Sequence, residues 1–414
     1  MQILTSMGSA PSNISAGALE APVAGSGPLK VCVIAETMLT GVGRHVTDLI
    51  KNMTARGHEL HLLHSMARCD DAYLKELEDL PGFHHRAFPM RRVLHWSDVP
   101  VLIALARYIR RFGPFDVIHG HSSKGGGYTR LLSLFLPGTC LYSPHAFVTM
   151  GPQLKPIERA AYATIELCLS YATDAVICCS FEEVTHAERL GMRKERLTLI
   201  PNAIAPFDVT APPGLRERLG LRADTVVIGF IGRLDEQKAP RVLVEAAAQV
   251  LAGGHDVHFV MVGAGPLRAE LEALTHTCGI AQRFSWLGYT PSRMWISGFD
   301  VLAMPSLYEG FSYVLMEGLS AGVPIVCTPV GGVREVGFID GVHGFIVPIG
   351  DSRAFADRLG RLIADPDLRH AMGRRARARS ACLSLDTWID RLEAIYRRPV
   401  PAAGALSSPA PSGL

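Results

Sequence analysis

The sequence has almost no net charge. Its 41 Lys and Arg against 39 Asp and Glu leave +2 over 414 residues. Nucleic-acid binding calls for a basic patch or stripe, and nothing in this balance argues for one. No apolar run reaches the roughly 20 residues needed to span a bilayer. The nine cysteines include no C-x-x-C pair. An odd, scattered set argues against a disulfide framework and fits the reduced thiols of a cytosolic protein. Residues 1–28 contain no Lys or Arg and no firm apolar block, so they do not read as a secretory signal. Their Ser, Gly, Ala and Pro content reads as a disordered leader.

The chain as a whole is 48% hydrophobic and long enough for two domains with substantial cores. Leu29–Glu36 reads as a buried strand. Thr40-Gly41-Val42-Gly43 opens a helix to about Arg56, and His58–His64 is the next strand, which makes a βαβ unit. The glycine turn is not a dinucleotide fingerprint. Val46 stands where the third glycine of G-x-G-x-x-G belongs, and the second strand ends His64-Ser65 without the ribose-holding acid. No NAD, FAD or other cofactor is expected.

Phe83–Met90 reads as a strand. Arg91, Arg92, Arg107, Arg110 and Arg111 surround the apolar Val101–Ala106. This basic amphipathic stretch suits anionic lipid headgroups, and equally an ordinary surface helix with basic residues at its carboxyl end. Asp116–His121 is a strand running into the glycine-rich loop Ser122-Ser123-Lys124-Gly125-Gly126-Gly127 and a helix. Strand alternation puts His119 and His121 on one face, but no third ligand is evident, so no metal site is expected. Thr139–Phe147 carries His145 at the carboxyl edge of a parallel sheet, where α/β proteins place ligands. A helix over Pro156–Tyr171 and a strand over Asp174–Ser180 follow. Phe181–Leu190 is a helix with Ser180 as its N-cap, and Arg196–Ile200 closes the domain.

The second half repeats the alternation. Strand Thr225–Gly232 leads into Arg233 and Lys238. Two cations five apart between a strand and a helix read as a diphosphate clamp, or as solvated loop charge. His258–Val262 is a strand before Gly263-Ala264-Gly265. Asp300–Met304 is a strand before Ser306–Leu319, where Glu309 and Glu317 bracket a Gly310-Phe311-Ser312 turn at a helix start. Free amides at a helix start attract phosphate. Carboxylates accept from hydroxyls. Hydroxyls beside phosphates suggest a nucleotide sugar, although two such acids are often only an N-terminal charge and a solvated face. Gly322–Thr328 is a strand, Gly331–Val336 a loop and helix, and His343–Val347 the last strand. Helices start near Ser352 and Asp367. Asp365-Pro366-Asp367 is formally D-x-D, but sits in a helix-to-helix turn.

The organisation read from this pattern is α/β with two Rossmann-like, doubly wound parallel-sheet domains facing across a cleft. The domains take residues 29–200 and 214–384, with a linker at 201–213. A closing helix spans 385–398, and 399–414 is a disordered tail.

Glu309-x7-Glu317, set in Pro305-Ser306-Leu307-Tyr308-Glu309-Gly310-Phe311-Ser312-Tyr313-Val314-Leu315-Met316-Glu317, resembles the E-x7-E signature of retaining family 4 glycosyltransferases. The resemblance runs from about Lys30 to Arg398. Gly232-Arg233-Leu234 with Lys238 resembles the family's G-R-L-x-x-x-K-G, with Ala239 in place of the last glycine. Pro201-Asn202-Ala203-Ile204 resembles P-N-G-[IV], where Ala203 would be strained at positive φ. His119-x-His121-Ser122-Ser123-Lys124 resembles a stretch in members that assemble exopolysaccharide.

The resemblance implies the GT-B architecture and a hexose transferred from a nucleotide-diphosphate sugar, UDP in preference to GDP. The acceptor would be lipid-linked or a polysaccharide, and no metal would be required. Arg233, Lys238 and the helix start at Tyr313 and Val314 would neutralise the diphosphate. Glu309 and the amides of Gly310, Phe311 and Ser312 would hold the hexose, and Glu317 the ribose. Gly43 would face the diphosphate, and His145 would contact the transferred sugar. His121, Ser122 and Lys124 would help form the acceptor side. The closing helix would cross back onto the first domain. The place of action would be the cytoplasm, with peripheral contact at the inner membrane face.

Overall fold

A computed structural model describes residues 27–205, 214–381 and 383–398. The leader as far as residue 26, the linker segment 206–213 and the tail from 399 lie outside the described residues.

The first half runs β1 (Lys30–Ala35), α1 (Thr40–Ala55), β2 (Glu59–Ser65), α2 (Asp71–Lys75), β3 (Phe83–Phe88), α3 (Asp98–Phe112) and β4 (Val117–His121). It continues α4 (Ser122–Leu132), β5 (Thr139–Ser143), α5 (Pro156–Ser170), β6 (Ala175–Cys178), α6 (Phe181–Arg189) and β7 (Leu197–Leu199). The seven strands lie in the order β3-β2-β1-β4-β5-β6-β7, all parallel. Helices cover both faces of such a sheet, so its strands read as continuous apolar runs, as in Lys30-Val-Cys-Val-Ile-Ala35.

The second half runs α7 (Leu215–Arg218), β8 (Val226–Ile231), α8 (Pro240–Ala252), β9 (Val257–Val262), α9 (Arg268–Thr277), β10 (Phe284–Gly288) and β11 (Val301–Met304). It ends with α10 (Tyr313–Ala321), β12 (Ile325–Cys327), β13 (Gly344–Ile346), α11 (Ser352–Ala364), α12 (Pro366–Ser380) and α13 (Leu385–Tyr396). Its six parallel strands take the order β10-β9-β8-β11-β12-β13. Strand order reverses between β1 and β4 in one sheet and between β8 and β11 in the other. Ligand crevices form beyond the carboxyl ends of strands at such points.

α13 returns to the first sheet. Its Trp388, Ile389, Leu392, Ile395 and Tyr396 are buried with Val31, Val46 and Ile50. The Tyr396 hydroxyl meets Nδ1 of His119 at 2.7 Å.

Gly41 and Gly43 lie in the first turn of α1, which opens at Thr40 as expected. Two other glycine segments differ from the sequence reading. Residues 122–127 form no loop: α4 starts directly at Ser122, whose φ of +62° turns the chain at the strand end. The glycines there serve packing. A Cβ on Gly125 would lie 2.5 Å from the Ile34 carbonyl oxygen, and one on Gly126 2.2 Å from the Tyr142 ring. Gly331–Val336 forms turns and no helix. The Glu335 carboxylate holds that segment, accepting from Gly332 N at 2.9 Å.

Candidate active site between the two sheets

The second domain supplies a cation–carboxylate pair. Lys238 leaves the loop after β8, Glu309 the loop after β11, and the Lys238 ammonium donates to Glu309 Oε1. Ser306 Oγ donates to the same oxygen at 2.7 Å. The loops are also tied through their backbones, Leu307 N donating to the Gln237 carbonyl at 2.8 Å. The Arg233 guanidinium lies beside this pair in sequence, half exposed, and bonds Gln237 Oε1 at 2.7 Å and Asp235 at 2.9 Å. Glycine sets how tightly these strand ends pack. A Cβ on Gly263, at φ +140°, would fall 1.8 Å from the Gly232 carbonyl oxygen. Ala239, in place of the family glycine, has φ +45°, whereas Ala203 is not among the positive-φ residues.

α10 begins where the sequence places it. Ser312 is its N-cap, accepting from Leu315 N at 3.4 Å. The Phe311 side chain is sunk in the core of the second domain, with Tyr313 and Val314 packed against that core. Glu317 is buried one turn further on. Burial raises its carboxyl pKa, opposed by a hydrogen bond with Ser292 and the charges of Arg293 and Arg44. Arg293 Nε stands 3.8 Å from Glu317.

The first domain meets this loop through His145 and Ala146. Both have positive φ, +51° and +74°. Two consecutive left-handed residues cost backbone energy, and such strain concentrates at functional sites. Glu183 of α6 holds the turn, accepting from Ala146 N and, at 2.9 Å, from Cys179 N. Gly310 fits directly against it: a Cβ there would lie 2.6 Å from Ala146 N and 2.9 Å from the His145 carbonyl carbon. His145 and the Glu309–Ser312 loop, far apart in sequence, are therefore neighbours across the cleft.

The other predicted residues have these surroundings. Gly43 abuts the Tyr73 ring and the Met38 carbonyl, while Gly41 faces the Tyr313 ring, its Cβ position 3.3 Å away. The Lys124 ammonium is tied down by Asp98 at 2.8 Å and by the Val93 carbonyl. Ser122 is half-buried at the strand-to-helix corner, and His121 is fully buried.

The sequence reading found no third ligand beside His119 and His121. The structure gathers a different set, His45, His121 and His145, so that one ligand atom of each lies within 4.8 Å of the others. His45 comes from α1, so local spacing carried no sign of it. Glu335 is another residue missed. It reaches from the second domain to accept from Phe181 N, the first residue of α6, at 2.6 Å. Glu183 did carry a signal, the Ser180-x-x-Glu183 pattern of a capping box.

Two doubly wound sheets, with loops from both meeting over a cation–carboxylate pair and a helix start, define a GT-B glycosyltransferase. Residues 39–206 match Glycosyltransferase Family 4, and residues 225–365 match Glycosyl transferases group 1. A D-inositol 3-phosphate glycosyltransferase of Xylanimonas cellulosilytica is 37% identical over 376 residues, covering 82% of this chain and 87% of the relative. The putative glycosyltransferase EpsD of Bacillus subtilis is 28% identical over 293 residues, 68% of this chain and 76% of its own. Among solved structures, the sucrose-phosphate synthase of Thermosynechococcus elongatus superposes with a TM-score of 0.77 at 20% identity, over 89% of this chain and 98% of the other. Anabaena HepE in complex with UDP and glucose gives 0.75 at 21% identity, over 88% and 98%. The chain belongs to glycosyltransferase family 4 and is an enzyme of that family.

Proposed function

We propose that the protein transfers a hexose, with retention at the anomeric carbon, from a nucleoside diphosphate sugar to a lipid-linked or polysaccharide acceptor of a cell-surface glycan. UDP is the proposed nucleotide, the one present in the HepE complex. The observation that carries the reading is the Lys238–Glu309 pair lying opposite His145 across Gly310. Arg233, Lys238 and the first amides of α10 take the charge that develops on the leaving diphosphate. Glu309 and the Gly310, Phe311 and Ser312 amides hold the hexose hydroxyls, and Glu317 holds the ribose. His145 contacts the sugar from the first domain. The departing phosphate receives the acceptor's proton. Removing one preorganised donor of this kind costs about a hundredfold to a thousandfold in rate.

The proposed place is the cytoplasmic membrane face. Around α3, Val93, Leu94, Trp96, Val99 and Ile103 are exposed, with Trp96 78% accessible. Arg91, Arg92, Arg107, Arg110 and Arg111 are exposed with them. Apolar side chains mixed with cations suit an anionic bilayer surface. Among the described residues, no helix is long and apolar enough to cross a membrane. Lys124 ties the Val93 carbonyl to the start of α4, which links this patch to the acceptor side.

Inositol phosphate is the second acceptor reading, favoured by the 37% identity with the Xylanimonas enzyme. A labelled UDP-hexose offered to wild type with inositol phosphate, with a lipid-linked glycan and with buffer separates these acceptors. Glu309→Ala should lose transfer while still binding nucleotide; wild-type turnover in that variant would end the reading.

A further inference from the structure

His45, His121 and His145 come from α1, the end of β4 and the loop after β5. The His45 and His145 rings meet edge to face, with centroids 4.4 Å apart. Those of His121 and His145 stack at 5.3 Å, with Nδ1 of the first 2.9 Å from Nε2 of the second. Asn202 Oδ1 lies 3.0 Å from His45 Nδ1. An amide oxygen only accepts, so Nδ1 of His45 carries the proton and Nε2 presents its lone pair. That Nε2 is buried and has no hydrogen-bond partner in the protein, and the same is true of His121 Nε2. Both rings are at least nine-tenths buried.

A buried nitrogen without a partner is costly, and the lone pair on His45 Nε2 calls for something that accepts it. Burial keeps these rings neutral: His45 falls to about 4, and His121 and His145 lie well below the usual range. A neutral imidazole whose far N–H is fixed by an amide or carbonyl oxygen is the usual form of a metal-bound histidine. Zn–N bonds of about 2.0–2.1 Å put tetrahedral ligands roughly 3.4 Å apart. The three rings each offer one nitrogen, and these lie within 4.8 Å of one another, a range that includes that value. Imidazole suits Zn, Cu, Ni and Fe rather than the hard cations Ca and Mg, which take oxygen.

We propose that His45, His121 and His145 form a three-imidazole site for a borderline divalent cation, Zn²⁺ above all, on the first-domain side of the cleft, and that the bound cation inhibits transfer. The inhibition rests on the functional reading given above, because it follows from taking His145 away from the sugar. The binding does not. Three protein ligands leave a position open, and Gly310 of the facing loop is packed against His145.

The test uses the full-length protein, stripped with chelator and titrated with Co²⁺, then with Zn²⁺ in competition. One intense, tetrahedral-type visible spectrum per chain is expected, without the near-ultraviolet absorption of a cobalt–thiolate bond. Asn202→Ala, which removes only the partner of His45, should weaken Zn²⁺ about 10–100-fold. His145→Gln and His45→Gln should weaken it more than about a hundredfold, since each removes a ligand outright. His145 is only half-buried, so its variant remains informative if His45→Gln misfolds. His84→Gln, in the exposed cluster with Glu59 and His61, should bind as wild type does. Cobalt that stays octahedral, a thiolate-dominated spectrum, or affinity that survives His145→Gln would overturn the site. Zn²⁺ bound at full occupancy with an unchanged transfer rate would overturn the inhibition. Because binding is read spectroscopically on the resting protein, its failure is distinct from failure of the transferase reading.

Discussion

Lys238 and Glu309 stand 71 residues apart in the chain and share one ion pair between two loops of the second domain. The side chains are 17% and 6% exposed, so both charges are largely out of water. Breaking such a pair strands the remaining charge, while keeping a neutral hydrogen-bonding shape strands less. Glu309→Gln should therefore fold, bind UDP and lose at least about a hundredfold in turnover. Equal losses in kcat and kcat/KM would mark an interaction made in the transition state. A pure rise in KM would place Glu309 in ground-state binding.

Glu335 joins the two domains by accepting from Phe181 N at 2.6 Å, and it also accepts from Gly332 N at 2.9 Å. Glu335→Ala leaves both donors without this partner. An unsatisfied buried donor costs about 1–3 kcal/mol. The variant should denature at lower urea concentration and show a raised donor KM, since Gly331 and Gly332 pack on the Glu309–Ser312 loop.

Ala239 holds φ +45° at the start of α8. A left-handed conformation costs an L-residue about 1–2 kcal/mol, and glycine avoids that cost. Part of the gain is lost to the greater freedom of glycine in the unfolded chain. Ala239→Gly should stabilise the protein by about 1 kcal/mol, read as a rise in the urea midpoint with an unchanged slope.

His119 is fully buried, with Nδ1 on the Tyr396 hydroxyl at 2.7 Å and Nε2 on the Ser143 hydroxyl at 2.9 Å. Burial, with His45 nearby, pushes its pKa down to about 3. The unfolded side chain titrates near 6.5. Between these values the unfolded state binds a proton that the folded state refuses. The contribution is whole above about pH 6.5 and falls as pH drops, by up to about 1.4 kcal/mol per pH unit. Urea midpoints should decline from pH 7 to pH 5, and more gently in His119→Gln.

The arginines around α3 test the membrane reading. A basic residue near an anionic surface contributes about 1 kcal/mol. Replacing Arg107, Arg110 and Arg111 with Gln should weaken binding to anionic vesicles roughly a hundredfold and leave turnover on a soluble acceptor intact. Trp96→Ser should weaken binding to the same vesicles through its apolar contact.

Much of this architecture was legible in the sequence. Buried parallel strands write themselves as unbroken apolar runs, and Ser180 and Ser312 mark helix starts by their chemistry. The Glu309–Glu317 segment was legible because all its parts are local. His45 beside His145, and Glu335 beside Phe181, were not legible, because tertiary contacts alone bring them together. The glycines of 122–127 misled in a different way. A glycine that lets a helix approach Ile34 and Tyr142 is the same letter as one that bends a loop. The two substituted glycines also diverged: Ala203, where the sequence reading expects strain at positive φ, has no positive φ, while Ala239 has φ +45°.

The most direct test of the central claim is a thermal-shift comparison of wild type, Arg233→Ala and Lys238→Ala with UDP, GDP, ADP and NAD, in EDTA. A ligand at a hundred times its Kd stabilises the native state by about 2.7 kcal/mol. The account predicts a clear shift of wild type with UDP, or with GDP if the base is guanine, that shrinks or vanishes in both variants. A shift with NAD alone, or UDP stabilisation untouched by either substitution, would contradict it.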